Sequence, residues 1–204
     1  MKSLTFLVSL LSTAVLALVQ APTSNINDLE LTPKEVVEQL WNMAMRGDLL
    51  TTDGWNRSCQ YFTKPVSAPG NKVVSVVSND YGIVRNSVEG KSATVWIGFR
   101  KLGQIDSRLR FTPEPPSNAY DSAEEYRLVV GHRHIITYGA DGKTKLQDKE
   151  IMESIIWQID GSPGPPWTTV NTAIRYVLEQ KAKATNPLVL KNADQTLTKL
   201  LALH

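Results

Sequence analysis

The chain has 204 residues, of which 42% are hydrophobic, and a formal net charge of +2 from 22 basic and 20 acidic side chains. This hydrophobic content excludes a chain that is disordered by composition. The near balance of charge argues against a nucleic-acid-binding protein, which normally carries a basic excess or stripe. We therefore expect a folded protein with no nucleic-acid partner.

The N-terminus has the pattern of a secretory signal peptide over residues 1–21. Lys2 supplies a positive charge, Leu4–Val19 is uncharged and apolar, and Val19-Gln20-Ala21 is a small-x-small cleavage pattern. The alternative is an uncleaved membrane anchor, because the uncharged stretch 3–27 is nearly long enough to span a bilayer. The small residues at its end favour cleavage, so we expect an exported protein with no stable membrane span.

Cys59 is the only cysteine of the chain. An exported domain without disulfides is typical of a bacterial periplasm, so we expect a periplasmic or extracellular bacterial protein. No histidine lies near Cys59 in sequence, which favours a small buried side chain over a nucleophile.

The rest of the chain is predicted to be a short flexible tether, 22–31, followed by one α+β domain, 32–204. Thr32-Pro33-Lys34-Glu35 contains an N-cap threonine, a proline at the first helical position and a glutamate that completes a capping box. A helix is therefore predicted from 33, with Gly47 as its stop. A second, shorter helix is predicted over about 53–61.

A sheet is predicted over about 72–160. β-branched alternation indicates short strands at 73–77, 82–84 and 93–99 and long ones at about 125–138 and 144–159. Asp141-Gly142 is a hairpin turn signal between the last two strands.

Two helices are predicted over about 168–203, each with one apolar stripe. We expect these stripes to pack on the sheet or on each other, and a homodimer contact is a further hypothesis for them.

The order of these elements resembles the NTF2-like (SnoaL-like) superfamily over roughly 33–160. The resemblance rests on Leu40-Trp41, on Arg46-Gly47-Asp48 and on the last strand, Ile155-Ile156-Trp157-Gln158-Ile159-Asp160-Gly161. It implies N-terminal helices packed on a curved antiparallel sheet, cone-like, with a cavity on the concave face. Some members of the family use this cavity for isomerase or hydrolase chemistry and others only for binding. The two C-terminal helices are additional to the family pattern.

A two-residue turn at Asp141-Gly142 would fix the pairing of the long hairpin. Alternation places one set of side chains on a common face: Tyr126, Leu128, Val130, His132, His134, Ile136 and Tyr138. Their predicted partners, in the same order, are Trp157, Ile155, Glu153, Ile151, Lys149, Gln147 and Lys145. On the opposite face, Arg133 is predicted to pair with Glu150.

This register suggests a pocket with titratable groups. His132 and the diagonal Glu153 are the candidate acid–base pair, because a carboxylate beside an imidazole shifts both pKa values toward the working range. The alternative is that both are satisfied polar residues near the rim of the sheet. A metal would need a third ligand beyond the histidines and Glu153, so no metal and no cofactor is predicted.

Other side chains are candidates for contact with a ligand. They are His134, Lys149, Tyr126, Trp96 and Trp157. The function predicted from the sequence is binding of a small apolar or amphipathic molecule in a cone-shaped cavity. The alternatives are an isomerase- or hydrolase-type enzyme that uses His132 and Glu153, and an assembly module that acts through the C-terminal helices.

Overall fold

The computed structural model describes residues 29–66, 73–115 and 122–203. The predicted signal peptide and most of the predicted tether lie outside this part of the chain. The helices are α1 Pro33–Arg46, α2 Thr52–Cys59, α3 Val170–Lys183 and α4 Pro187–Leu201. The strands are β1 Val73–Glu89, β2 Ser92–Asp106, β3 Phe111–Pro113, β4 Ser122–Tyr138, β5 Lys145–Ile159 and β6 Trp167–Thr168.

The predicted capping box at the start of α1 is confirmed. The Glu35 backbone N–H donates to Thr32 Oγ1 at 3.3 Å, and the Thr32 N–H donates to Glu35 Oε2 at 2.7 Å. Gly47 ends the helix at φ +83°, a left-handed conformation that favours glycine. These interactions are local, which is why the sequence alone predicts both ends of α1.

The strands form an open, curved sheet in the order β5-β4-β2-β1-β6, with β3 paired to β2. Together with the helices this is the α+β fold predicted from the sequence. The pairs among β1 to β5 are antiparallel, as expected, whereas β6 runs parallel to β1 through Ser75 and Val76. The short strands predicted at 73–77 and 82–84 are one strand, because bulges bend β1 without ending its pairing with β2.

The predicted register of the long hairpin is wrong over most of its length. Tyr138 pairs with Lys145 as predicted, but a shift next to Tyr138 and a second one between His132 and Arg133 displace every later pair. The connection is a wider loop in which the Asp141 carboxylate accepts hydrogen bonds from the backbone N–H groups of Lys143 and Thr144. The predicted pairing therefore fails because bulges add residues that alternation does not reveal.

Two apolar cores lie within the described residues. The first, which we call the main core, joins α1 and α2 to β2, β4 and the end of β5. Its members include Val37, Leu40, Trp41, Trp55, Val95, Ile97, Tyr126, Leu128 and Trp157. Leu29 and Leu31 pack against it, so the end of the predicted tether belongs to the packed domain.

The second core joins the C-terminal helices to the sheet. It contains Val74, Val76, Ile105, Phe111, Ala173, Tyr176, Val177, Ala193 and Leu200. The apolar stripes of α3 and α4 thus pack on the sheet and on each other, as predicted. None of the described helices is both long and apolar enough to cross a membrane.

Candidate functional site

An open cleft of about 600 Å³ lies where the beginning of β4 meets the end of β5 and the segment before β6. Its apolar lining comes from Phe62, Tyr126, Ile159 and Trp167. Its polar lining includes Glu124, Glu125, Arg127, Asp160 and Ser162. The cleft therefore combines an apolar wall with an excess of carboxylates, an arrangement that suits an amphipathic ligand.

A chain of hydrogen bonds reaches from the main core into this cleft. Trp41 Nε1 donates to the Tyr126 hydroxyl oxygen at 3.0 Å, and the Tyr126 hydroxyl donates to Glu124 Oε2 at 2.5 Å. Tyr126 is 6% exposed, and Glu124 is half-buried. The other oxygen of Glu124 makes no hydrogen bond to any residue that the structure describes. One oxygen of this carboxyl group is thus held by the core, and the other has no hydrogen-bond partner among the described residues.

Burial changes the proton affinity of both groups. It raises the pKa of Glu124, while the Tyr126 hydrogen bond and the charge of Lys101 lower it by less. Burial raises the pKa of Tyr126 well above its usual value, and the neighbouring Glu124 raises it further. Tyr126 therefore stays protonated, and Glu124 holds its proton more tightly than an exposed glutamate does.

Aromatic rings fix the position of the donor, Trp41. Its ring lies 5.2 Å from that of Tyr81, 5.0 Å from that of Phe99 and 5.5 Å from that of Trp167, measured between centroids. Trp167 belongs to this stack and also lines the cleft. The wall of the cleft is therefore continuous with the packed core and resists rearrangement.

The exposed charged residues at the rim of the cleft are paired with one another, in contrast to Glu124. Arg127 Nε donates to Glu125 Oε1 at 2.7 Å, and the charge of Asp160 also acts on Arg127. Strand alternation turns Glu125 away from Glu124. Glu125 is thus a neutralised surface residue, whereas no ion pair joins Glu124 to a cation among the residues that the structure describes.

Two of the predicted ligand-contact residues line cavities. Tyr126 lines the cleft, and Trp157 lines a separate, smaller cavity and belongs to the main core. The expectation that Trp96 lies near a cavity is not supported. Trp96 alternates with the core residues Val95 and Ile97, so it points to the opposite face of β2, where the Arg85 guanidinium lies 4.8 Å from its ring centroid.

The predicted acid–base pair is not joined in the structure. His132 pairs with Ile155 rather than Ile151, and Glu153 is exposed in the irregular stretch of β5 between two register segments. No hydrogen bond or ion pair joins His132 to Glu153, and the buried His132 Nδ1 has no partner among the described residues. The bulge that shifts the register removes the geometric basis of this pair.

The other polar candidates lie on the outer part of the hairpin. His134 pairs with Glu150 instead of Lys149, and its ring contacts the Asp148 carboxylate. Lys149 is exposed and pairs with Ile135. The ion pair predicted between Arg133 and Glu150 is wrong, because Arg133 binds Glu30.

Sequence analysis missed Glu124. Tyr126 was expected on the inner face, and the residue two positions earlier in a strand shares that face. The signal was therefore present, but the predicted strand began at Glu125 and excluded it.

Within residues 29–66, 73–115 and 122–203, no group of three or more His, Cys, Asp or Glu side chains is placed to hold a metal ion.

Comparison with known proteins found no matching family model, no matching curated protein and no matching solved structure.

Proposed function

We propose that this is an exported protein that binds a small amphipathic molecule in the cleft beside Glu124. The observation that carries the proposal is the Glu124 carboxyl group, which is anchored by Tyr126 through one oxygen, lines the cleft and has no ion-pair partner within residues 29–66, 73–115 and 122–203. A ligand whose polar group donates hydrogen bonds, above all an amine, complements this oxygen.

The rest of the ligand would lie against the apolar wall. Phe62, Ile159 and Trp167 supply a surface that water wets poorly, and its burial by a hydrocarbon chain is favourable. Arg127 neutralises Glu125 at the rim, so the Asp160 carboxylate leaves the rim with a net negative charge, which disfavours an anionic head group. These features together support an amine or a neutral hydrogen-bond donor that carries an apolar chain.

The NTF2-like cone is part of this proposal. It is supported by the two N-terminal helices that pack on a curved, predominantly antiparallel sheet and by the cleft next to them. The two alternatives from the sequence have less support. No contact joins His132 to Glu153, and the apolar stripes of α3 and α4 are largely used inside the chain.

Displacement of a fluorescent probe tests the binding site. N-phenyl-1-naphthylamine, an apolar aromatic amine, should bind and gain fluorescence, and octylamine should displace it at lower concentrations than octanoate does. A Ser162→Trp substitution fills the cleft at an exposed lining position and should weaken probe binding by roughly tenfold or more. Ser107→Trp, at an exposed turn away from the cleft, is the matched control.

Glu124→Gln tests the contribution of the Glu124 charge to binding separately from that of the cleft. The amide oxygen still accepts the Tyr126 hydrogen bond, so the variant should bind the neutral probe normally and lose the preference for octylamine over octanoate. An unchanged preference, or equal probe binding by Ser162→Trp and Ser107→Trp, would contradict the proposal.

Export is tested by the mass of the protein recovered from a bacterial periplasmic fraction. We expect a chain that begins close after Ala21, together with any co-purified ligand in the native mass spectrum. A full-length chain in the membrane fraction would instead favour the anchor.

A further inference from the structure

A second, smaller cavity lies between the residues before α1, the end of α2 and the β4–β5 hairpin. Its volume is about 140 Å³, and its apolar lining comes from Leu31, Val36, Ile156 and Trp157. It shares no lining residue with the cleft beside Glu124. The polar groups at this cavity include Arg133 and Glu30.

Arg133 uses only part of its hydrogen-bonding capacity. Its Nη2 donates to Glu30 Oε2 at 2.7 Å, whereas its Nε is buried and has no partner among the described residues. A buried N–H of a charged group without an acceptor costs more free energy than a neutral one. The Nε–H group of Arg133 is therefore an unused donor, next to the Nη2 donor that binds Glu30.

The two partners of this ion pair differ in exposure. The Arg133 side chain is 29% exposed and Glu30 is 71% exposed. Glu30, which lies three residues before the start of α1, therefore binds Arg133 from the solvent side. A glutamate held at an exposed site loses side-chain entropy and gains little from the ion pair, so it can be displaced at small cost.

Tyr61, Arg133 and Glu30 all line this cavity. The positive charge of Arg133 lowers the pKa of Tyr61 and the negative charge of Glu30 raises it, although burial has the larger effect and raises it. The Tyr61 hydroxyl donates to Gln39 Oε1 at 2.6 Å. Tyr61 is thus committed to Gln39, and Arg133 Nε is the donor at this cavity that has no partner among the described residues.

We propose that this cavity binds a small carboxylate with a short hydrocarbon chain and that Glu30 is its internal competitor. A carboxylate accepts two parallel hydrogen bonds from adjacent guanidinium N–H groups, and this geometry would engage Nε and Nη2 of Arg133 together. The chain of the ligand would lie against the apolar lining of the cavity. Glu30 satisfies one donor only, so a ligand that satisfies both replaces it.

The volume limits the size of this ligand. A dry cavity of about 150 Å³ accommodates benzene, which has six heavy atoms, so this cavity fits roughly six or seven non-hydrogen atoms. Pentanoate has that size and carries the required carboxylate.

Calorimetric titration with sodium pentanoate tests the proposal on the full mature chain. Glu30→Gln removes the competing charge, so the affinity for pentanoate should rise, by roughly tenfold if the ion pair is formed about nine-tenths of the time. Glu38→Gln, on the adjacent helix and paired with Lys34, is the matched control and should leave the affinity unchanged.

Arg133→Lys keeps the positive charge and removes the two-donor geometry, so pentanoate binding should weaken by roughly tenfold or more. Pentan-1-ol, which lacks the carboxylate, and inorganic phosphate, which lacks the chain, should both bind more weakly than pentanoate. The proposal is overturned if the Glu30→Gln variant binds no pentanoate at a ligand concentration of about 10 mM, because even a very weak site would be partly filled at that concentration. Equal binding of phosphate and pentanoate would also overturn it.

Discussion

The hydroxyl group of Tyr126 donates to Glu124 at 2.5 Å along the same face of β4. Its oxygen also accepts the indole N–H of Trp41. This single oxygen thus connects a buried tryptophan of α1 to a carboxyl group that lines the cleft. Two consequences of this contact can be measured: the free energy of unfolding and its dependence on pH.

Tyr126→Phe removes both hydrogen bonds and leaves Trp41 Nε1 without an acceptor in the core. We expect a loss of about 1–3 kcal/mol in the free energy of unfolding, because a buried donor keeps its desolvation cost when its partner is lost. Urea denaturation measures this loss. Tyr176→Phe is the control, because Tyr176 is also buried but its hydroxyl makes no hydrogen bond among the described residues. Equal losses in the two variants would contradict the prediction.

Glu124→Gln should change how stability depends on pH. Burial raises the pKa of Glu124 in the folded state, so the folded protein binds this proton more tightly than the unfolded chain does. Stability is then lost as the pH rises from the unfolded pKa through the folded one, since the charged form is disfavoured by burial. The glutamine variant lacks this loss and should gain stability relative to the wild type as the pH rises above the unfolded pKa of about 4.

Glu125→Gln is the matched control for that pH series. Arg127 lowers the pKa of Glu125 through a hydrogen bond, so the direction is opposite to that of Glu124. The wild type should therefore gain stability relative to this variant as the pH rises. If the stability difference between variant and wild type changed with pH in the same direction for both variants, the assignment of Glu124 as the buried carboxyl group would be refuted.

Leu200→Ala should destabilise the protein by about 2–5 kcal/mol, because it opens a cavity in a packed core. Leu200 is fully buried in the second core, whereas its neighbour Leu201 is 61% exposed. Leu201→Ala should therefore cost less than about 0.5 kcal/mol. The comparison by urea denaturation tests whether α4 belongs to the domain. Similar small effects, together with a monomer in place of a dimer, would support the assembly hypothesis instead.

Gly54→Ala should reverse the usual effect of this substitution in a helix. Alanine normally stabilises a helix interior by about 1 kcal/mol relative to glycine. Here an added Cβ would lie 2.0 Å from the backbone oxygen of Asp48, in the turn that precedes α2, so the backbone must move. We expect a clear decrease in melting temperature. Asp53→Ala, at an exposed position one residue earlier, should change it little.

Features held by interactions close in sequence were predictable. The ends of α1 follow from Thr32, Glu35 and Gly47, since a capping box and a left-handed stop involve residues within one helical turn. The inner face of β4 was also predictable at both ends, because Tyr126 and Tyr138 alternate into the main core.

The candidate site was only partly predictable. Tyr126 was identified, whereas Glu124 was excluded because the predicted strand began at 125, three residues after β4 begins at Ser122. His132 and Glu153 were paired by a register that two shifts in the hairpin invalidate. A bulge inserts a residue without changing the apolar pattern around it, so alternation cannot reveal it.

The sequence by itself determined the two ends of α1, the two long strands of the hairpin and the apolar stripes of the last two helices. Tertiary structure alone decided which elements meet. It placed Trp41 of α1 against Tyr126 of β4, 85 residues apart, and Glu30 against Arg133, 103 residues apart. Such contacts depend on the summed packing of the whole sheet, and no local pattern of residues encodes that sum.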